Sequence, residues 1–162
     1  MQSCVVTSVQ SEHRFDIPQQ KLTSEVEKGE LFRVIVGHVK NPSKFFIQLG
    51  SQYSALSALM DALDEDMEAA LLTEHFDSSL PVTPMLGLYV AARWPRDEKW
   101  YRTKVVGIAS NTYVTLSFID YGDECDVEWK SVRSLPLPFQ ELPAQALQAQ
   151  LLGVQPNSEV KV

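Results

Sequence analysis

Short β-type segments separated by tight turns fill the second half of this chain, and they constrain its fold more than any other feature. β-Branched and aromatic residues concentrate in residues 88–94, 100–108, 113–120, 126–129 and 132–135. The segments between them are short and carry the Pro, Asn, Gly and Asp residues that form turns. Strands this short and this closely connected favour a small, strongly bent antiparallel barrel over a β-sandwich.

The first half of the chain predicts a β-hairpin followed by a helix. Residues 31–39 and 45–49 are rich in β-branched and aromatic side chains, and residues 40–44 between them contain a turn signal. In residues 53–72 apolar side chains recur every three or four residues, which predicts an amphipathic helix of about five turns. The apolar positions of this helix are Leu56, Leu59, Leu63, Met67 and Leu71.

The ends of the chain and one internal segment show weaker patterns. We expect residues 1–30 to be irregular or flexible, and residues 78–84, which are rich in Ser and Pro, to form a linker. Prolines between residues 136 and 143 end the strands, and the Ala-rich residues 144–152 predict one further short helix. Residues 160–162 have the pattern of the start of a strand.

Composition argues against several classes of protein. With 162 residues, of which 44% are hydrophobic, the chain can bury the core of one ordinary domain or of two small packed ones. No apolar run approaches the roughly 18 residues of a membrane helix, and the start lacks a secretory pattern, so we expect an intracellular protein without membrane partners. Cys4, Cys125 and the scattered histidines lack the spacing of a disulfide framework or a metal site, so no metal or cofactor is expected.

The net charge of −7 favours basic partners and opposes binding to a phosphate backbone. Much of the negative charge lies on the predicted helix, where a solvated face is favoured over a docking site. Phe32, Phe45 and Phe46 offer stacking surfaces for single-stranded nucleic acid, but few basic residues accompany them. Catalysis is not expected, because the acidic residues do not converge as metal-assisted phosphodiester cleavage requires.

Aromatic residues cluster beside the turns of the predicted barrel. Trp94, Trp100 and Tyr101 lie at one turn, and Phe118 and Tyr121 flank another. Because the face of an aromatic ring carries negative charge, rings that converge from neighbouring strands form a box for a methylated ammonium or guanidinium group. The alternative is that these rings belong to the barrel core. Trp100 is expected to point away from Tyr101, since neighbouring strand residues alternate, and to pack in the core, as is Trp129.

Three motifs carry a resemblance to a known family. The sequences YVAARW (residues 89–94), KWYRTKV (residues 99–105) and LSFIDYGD (residues 116–123) resemble the Tudor domain. The predicted hairpin, the acidic helix and the segment that follows residue 135 look like the arms of an extended Tudor domain. The resemblance covers roughly residues 31–154.

The resemblance implies a mainly β fold with helices, of the α+β class. In this fold a small bent antiparallel Tudor barrel, at residues 85–135, is joined by the helix at residues 53–72 to an OB-type, staphylococcal-nuclease-like half. That half is built from both flanks, residues 31–52 and 136–162. The second flank is expected to contain the return helix and the start of the last strands.

The resemblance also implies a function. Extended Tudor domains bind arginine-methylated peptides, typically symmetric dimethylarginine in the Arg-Gly-rich tails of PIWI proteins, as scaffolds of the piRNA pathway in perinuclear germ granules. It therefore implies a non-catalytic, monomeric and cytoplasmic reader that needs no cofactor. Carried over by position, the residues of the methylarginine cage are Trp94, Tyr101, Phe118, Tyr121 and Asp123.

Asp123 departs from the Asn that is usual in the family. A carboxylate accepts a guanidinium N–H with a full charge, so Asp123 strengthens the ion pair but also welcomes unmethylated arginine. A methylation-independent protein scaffold is therefore an alternative, and single-stranded RNA binding by the OB-type half is a weaker one. Asp120 is expected to be structural, bonding to local backbone and pairing with Arg102.

Overall fold

The computed structural model of the protein describes residues 16–22, 31–72 and 83–153. Within these ranges the chain forms eight strands in two antiparallel sheets, together with one α-helix and three short 3-10 turns. In chain order the strands and the helix are β1 (Val34–Asn41), β2 (Lys44–Leu49), α1 (Tyr53–Leu72), β3 (Tyr89–Arg93), β4 (Trp100–Ile108), β5 (Tyr113–Phe118), β6 (Glu124–Glu128), β7 (Arg133–Ser134) and β8 (Leu147–Ala149). The 3-10 turns are Gly50–Gln52, Trp129–Ser131 and Leu137–Gln140.

Each of the two sheets takes its strands from the part of the chain that the predicted fold class assigned to it. One has the strand order β1-β2-β8 and so combines both flanks, whereas the other has the order β6-β5-β4-β3-β7. The predicted mainly β, α+β fold class is confirmed.

No helix in the described ranges combines the length and the apolarity needed to cross a bilayer. The predicted linker at residues 78–84 lies mostly outside the described residues, and the predicted strand start at residues 160–162 lies wholly outside them.

The hairpin of the first sheet follows the sequence pattern closely. Val36 pairs with Ile47, and the turn closes where the Asn41 side chain accepts the backbone N–H of Ser43 at 2.9 Å. Asn side chains commonly stabilise turns through this type of bond to backbone. The register shifts twice along β1, beyond Val36 and again beyond Val39.

The helix predicted at residues 144–152 is wrong. Leu147–Ala149 is instead β8, an antiparallel strand that pairs with β2, where Leu147 lies opposite Ile47. Just before β8, Ala144 exchanges backbone hydrogen bonds with Pro18 and Gln20, both at 2.9 Å. The free edge of β2 satisfies the backbone of this segment better than a short isolated helix, so tertiary pairing overrides the helix propensity of its Ala residues.

Residues 16–22 form no helix or strand, and they are packed against the rest of the domain. Ile17 is only 3% exposed and belongs to the core that α1 shares with the second sheet. The side-chain amide of Gln19 donates to the carbonyls of Ala144 and Ala146 at 2.7 and 3.0 Å. Within the N-terminal segment, residues 1–15 and 23–30 lie outside the described ranges.

The helix α1 packs its apolar stripe against the second sheet. Leu56, Leu63 and Met67 are buried as the periodicity predicted, and Met60, which was not among the predicted positions, is buried with them. Leu71, by contrast, is exposed. Leu59 packs against this core while remaining partly exposed.

Two acidic residues of α1 contact the second sheet. Asp64 Oδ1 accepts the backbone N–H of Trp100 at 2.9 Å, and Glu68 Oε1 accepts the indole N–H of Trp100 at 2.7 Å. Glu68 also forms an ion pair with Arg93. The expectation of a solvated acidic face is wrong for Asp64, which is only partly exposed, whereas the Glu68 side chain stays 48% exposed while it makes these contacts. Their bonds hold Trp100 in the core, where it was predicted to pack.

A buried ion pair joins the second sheet to the chain that returns towards β8. Arg102 on β4 donates through Nε and Nη2 to both carboxylate oxygens of Asp120, at 2.9 and 2.6 Å. Its remaining N–H groups donate to the carbonyls of Phe139, Leu142 and Pro143. Both charged side chains are almost completely buried. The predicted pairing of Asp120 with Arg102 is confirmed, and it anchors three segments of chain.

Removing the Asp120 carboxylate should strongly destabilise the domain. In Asp120→Ala the Arg102 guanidinium stays buried without a counter-ion, which costs about 3–5 kcal/mol of unfolding free energy. Equilibrium unfolding in urea, followed by circular dichroism, measures this loss. Lys130→Met is the matched control, because it breaks an ion pair with Glu128 whose lysine is exposed, and it should leave the midpoint unchanged. Equal midpoints for wild type and Asp120→Ala would contradict the structural role of the pair.

Candidate functional site

Four aromatic rings meet at one end of the second sheet. The ring centroids of Trp94 and Phe118 are 4.5 Å apart, and those of Tyr101 and Phe118 are 5.8 Å apart. Tyr121 completes the group at 5.4 Å from Tyr101. The interplanar angles lie between 68° and 86°, so the rings stand nearly perpendicular to their neighbours and form walls instead of a stack.

These rings line a cavity of about 390 Å³, which we call the cage. This volume lies within the range of pockets that hold small organic groups. All five residues predicted for the site line the cage. The complete lining is Gly37, His38, Val39, Trp94, Arg96, Asp97, Tyr101, Phe118, Tyr121 and Asp123.

Strand geometry places the first three rings. Trp94 directly follows β3, Tyr101 lies near the start of β4, and Phe118 ends β5. Because β3 pairs with β4 and β4 pairs with β5, the three positions meet at the same end of the sheet. Phe118 is buried, whereas Trp94 and Tyr101 keep part of their surface exposed to the cavity.

The fourth ring is placed by the turn between β5 and β6. The backbone N–H groups of Tyr121 and Gly122 both donate to the carbonyl of Phe118, at 3.1 and 2.8 Å, and Phe118 donates to the carbonyl of Asp123 at 2.8 Å. Gly122 has φ +87°, a conformation that favours glycine. A Cβ at this position would lie 2.1 Å from Cγ of Phe46 on β2. The turn therefore requires glycine for its backbone conformation and also for the close approach of the first sheet.

The first sheet closes one side of the cage. The backbone N–H of His38 donates to the carbonyl of Tyr121 at 3.4 Å, and Lys40 forms an ion pair with Glu124 at 3.4 Å. Phe46, one of the rings considered for base stacking, packs against the cage turn instead. Gly37, His38 and Val39 of β1 thus form a wall of the cavity.

Asp123 does not face the cavity alone. Its Oδ1 lies 2.6 Å from Nδ1 of His38, and the two side chains are 27% and 30% exposed. His38 is one of the scattered histidines of the sequence. It is separated from Asp123 by 84 other residues, and no local pattern links the two. Only the folded chain shows that the nuclease-like half contributes a polar group to the cage.

A second carboxylate lies at the mouth of the cage. Tyr101 donates its hydroxyl hydrogen to Oδ2 of Asp97 at 2.7 Å. Burial, aided by this hydrogen bond, raises the pKa of Tyr101 far above its usual value. Burial, together with the negative charge of Asp120, raises the pKa of Tyr121 to about 12. Both phenols are therefore neutral at physiological pH.

Arg96 lines the cage and lies over one of its rings. Its Cζ lies 5.8 Å from the ring centroid of Trp94, within the range of cation–π attraction. Arg96 and Asp97 lie in the predicted turn between β3 and β4, where the sequence pattern places acidic residues around the mouth of the pocket and gives Arg96 no role. Their contribution depends on how that turn folds back over Trp94, which the spacing of residues does not reveal.

The cage continues into a cleft between the two sheets. This cleft has a volume of about 330 Å³ and shares Gly37, Tyr101 and Tyr121 with the cage. It also contains the acidic residues Asp61 and Asp64 of α1. Lys99 lines the cleft beside these acids, so the lining carries charges of both signs. Across the described ranges, no group of three or more His, Cys, Asp or Glu side chains is placed to hold a metal ion.

Comparison with known proteins identifies relatives along most of the chain. A family model for the Tudor domain matches residues 26–153. The human Tudor and KH domain-containing protein is 32% identical over 148 residues, a match that covers 90% of this chain and 24% of that protein. This chain therefore spans about a quarter of the length of the Tudor and KH domain-containing proteins that it matches.

Solved structures of extended Tudor domains share this fold. A variant of the Drosophila melanogaster Papi domain in complex with a dimethylated Piwi N-terminal peptide has a TM-score of 0.70 and 30% identity, and covers 76% of this chain and 61% of that one. The same variant in complex with the unmethylated peptide has a TM-score of 0.68 and 30% identity, with coverage of 75% and 58%. The BmPAPI domain in complex with sDMA has a TM-score of 0.70 and 27% identity, with coverage of 80% and 68%.

Two glycines with positive φ allow the close contact at the cage turn to be tested. Gly87→Ala at φ +85° has no atom within 4 Å of the added Cβ, so it should cost only the backbone strain of about 1–2 kcal/mol. Gly122→Ala adds the clash with Phe46 to the same strain and should cost about 1–3 kcal/mol more. Urea unfolding compares the two variants, and equal losses of stability would contradict the tight packing of the turn.

The raised pKa of Tyr121 predicts a loss of stability in alkali. An unfolded tyrosine loses its proton near pH 10, whereas Tyr121 in the folded domain holds its proton until about pH 12. Its contribution to stability is therefore complete below about pH 10 and declines as the pH rises towards 12. Urea unfolding at several pH values should show a shallower decline for Tyr121→Phe than for wild type, and the same decline in both would contradict the shift.

Proposed function

This chain belongs to the Tudor domain family, and on that premise we propose that it is a non-catalytic reader of arginine-methylated peptides. The observation that carries the proposal is the cage, in which four nearly perpendicular rings and Asp123 surround a cavity of about 390 Å³. The ligand is symmetric dimethylarginine within an Arg-Gly-rich segment. The modified side chain enters the cage, and the rest of the peptide lies along the cleft between the two sheets.

The chemistry of methylation fits this cavity. Methyl groups replace N–H donors and add apolar surface while the positive charge remains, so the modified guanidinium loses less hydration when it enters an aromatic box. Each desolvated cation–π contact contributes on the order of 0.5–2 kcal/mol. Ordering a flexible peptide offsets part of that gain, so we expect a Kd in the micromolar range or weaker.

The charges around the cage support a cationic ligand. Asp97 and Asp123 both line the cavity, and the acidic residues of α1 line the adjoining cleft. The neutral phenols of Tyr101 and Tyr121 present aromatic faces instead of phenolate charges. Arg96 already holds its guanidinium over Trp94, so at least one ring of the cage accepts this chemical group.

The solved relatives support the same ligand class. The Papi and BmPAPI extended Tudor domains were solved with a dimethylated Piwi peptide and with sDMA, respectively. By this similarity we extend the proposal to the biological partner, the Arg-Gly-rich tail of a PIWI protein. The domain then acts as a scaffold of the piRNA pathway in perinuclear germ granules of the cytoplasm.

A methylation-independent scaffold is the second candidate, and Asp123 is the observation that favours it. A carboxylate forms charge-assisted hydrogen bonds with the additional N–H groups of unmethylated arginine. The Papi variant was also solved with the unmethylated peptide. In this alternative the cage accepts arginine regardless of methylation, and the cleft determines which peptide binds.

Isothermal titration distinguishes the two candidates. One Arg-Gly-rich peptide is titrated in its symmetric-dimethyl, asymmetric-dimethyl and unmethylated forms against the wild-type domain. A reader binds the symmetric form most tightly. Equal affinity for all three forms supports the scaffold, and no binding of any form contradicts both candidates.

Tyr121→Ala tests whether the cage is the binding site. Loss of one wall should reduce affinity for the symmetric-dimethyl peptide by at least about tenfold, which corresponds to about 1.4 kcal/mol. The circular dichroism spectrum should remain that of the wild type. Tyr113→Ala is the matched control, because this tyrosine is exposed on β5 outside the cage, and it should bind normally. Unchanged binding by Tyr121→Ala would place the peptide elsewhere.

A further inference from the structure

We propose that His38 of β1 determines the specificity of the cage by holding one carboxylate oxygen of Asp123. With Oδ1 engaged by His38, Asp123 presents chiefly Oδ2 to a ligand. The cage then discriminates against unmethylated arginine although it carries an aspartate. This inference rests on the proposed function, since it concerns which form of arginine the same site prefers.

The position of His38 is fixed by the fold. Its backbone N–H donates to the carbonyl of Tyr121, so β1 is attached to the same turn that carries Asp123. At the preceding residue, a Cβ on Gly37 would lie 3.1 Å from that Tyr121 carbonyl, which shows how closely the strand approaches the turn. The imidazole also lies 6.5 Å, between centroids, from the ring of Phe46, which packs under Gly122. Backbone and ring contacts thus aim Nδ1 at Asp123, 2.6 Å away.

The number of donors on the ligand explains the expected discrimination. Unmethylated arginine carries five N–H donors in a planar fork, and a carboxylate with two free oxygens accepts a pair of them. Symmetric dimethylation removes one N–H from each terminal nitrogen and leaves one on each. Unmethylated arginine presents a pair of N–H donors to a free Asp123 in every conformer, whereas symmetric dimethylarginine does so only when both methyl groups point away from the carboxylate. A free Asp123 therefore favours the unmethylated form, whereas an Asp123 held by His38 offers both forms chiefly one bond. The aromatic rings then favour the methylated form.

The other charged groups around the cage have partners other than Asp123. Lys40, also on β1, pairs with Glu124 instead, at 3.4 Å. Arg96 lines the same cavity but lies over Trp94, and Asp97 accepts the hydroxyl of Tyr101. His38 is the cavity-lining partner that meets Asp123 within hydrogen-bond distance, and its donor comes from the other sheet.

The test compares the affinities of the unmethylated and symmetric-dimethyl peptides in a set of variants by isothermal titration. His38→Ala should shift the ratio of the two Kd values towards unmethylated arginine on the order of tenfold, as expected for one charge-assisted hydrogen bond. His38→Asn places an amide nitrogen where Nδ1 lies and should restore the wild-type ratio. Lys40→Ala is the matched control on β1, and it should leave the ratio unchanged even if it alters both affinities. His38→Leu replaces His38→Ala if the alanine variant does not fold.

A thermodynamic cycle adds a readout that general damage to the fold does not give. In an Asp123→Asn background the carboxylate is absent, so His38→Ala should no longer change the ratio. If the ratio is the same in wild type and His38→Ala, the inference is overturned while the reader function stands. An equal loss of affinity for both peptides also overturns it, because His38 is then only structural. If the wild type binds neither peptide, the proposed function itself fails, and the inference fails with it.

Discussion

The buried ion pair between Arg102 and Asp120 is the interaction on which the rest of the structure depends. The Arg102 guanidinium joins β4 to three carbonyls of the chain returning towards β8. The Asp120 carboxylate also accepts the backbone N–H of Gln145 at 3.1 Å. The backbone carbonyl of Asp120 accepts the side-chain amide of Gln48 on β2 at 2.6 Å. Asp120 therefore links both sheets, and the residue that follows it in the chain is Tyr121 of the cage.

The cage is a product of both halves of the molecule. The second sheet supplies the four rings, but the first sheet supports the turn that carries Tyr121 and Asp123. Phe46 fills the space that a side chain on Gly122 would need, and His38 engages Asp123 directly. A Tudor sheet without its nuclease-like partner would keep the rings and lose this support. The first sheet is thus part of the cage itself, not only an addition to it.

Local patterns in the sequence predicted much of this fold. The β-branched and aromatic runs, the helix stripe and the three Tudor motifs placed the elements, and the aromatic residues beside two turns indicated a shared pocket. The resemblance to the Tudor domain then selected Trp94, Tyr101, Phe118 and Tyr121 as its rings. What could not be predicted depends on contacts between distant segments. The strand β8 forms because the edge of β2 is available, and the local composition of its residues favours a helix instead. His38 likewise belongs to the cage only because the hairpin docks on the cage turn.

Dimethylarginine is proposed to enter the aromatic cage, and NMR of a peptide with ¹³C-labelled Nη-methyl groups can detect this entry. Rings that stand nearly perpendicular around the methyl groups should shift their proton resonances by ring current when the domain is added. Nuclear Overhauser contacts should connect those methyl groups to Trp94, Tyr101, Phe118 and Tyr121. Binding that leaves the methyl resonances at their free-peptide positions, without contacts to these rings, would contradict the account.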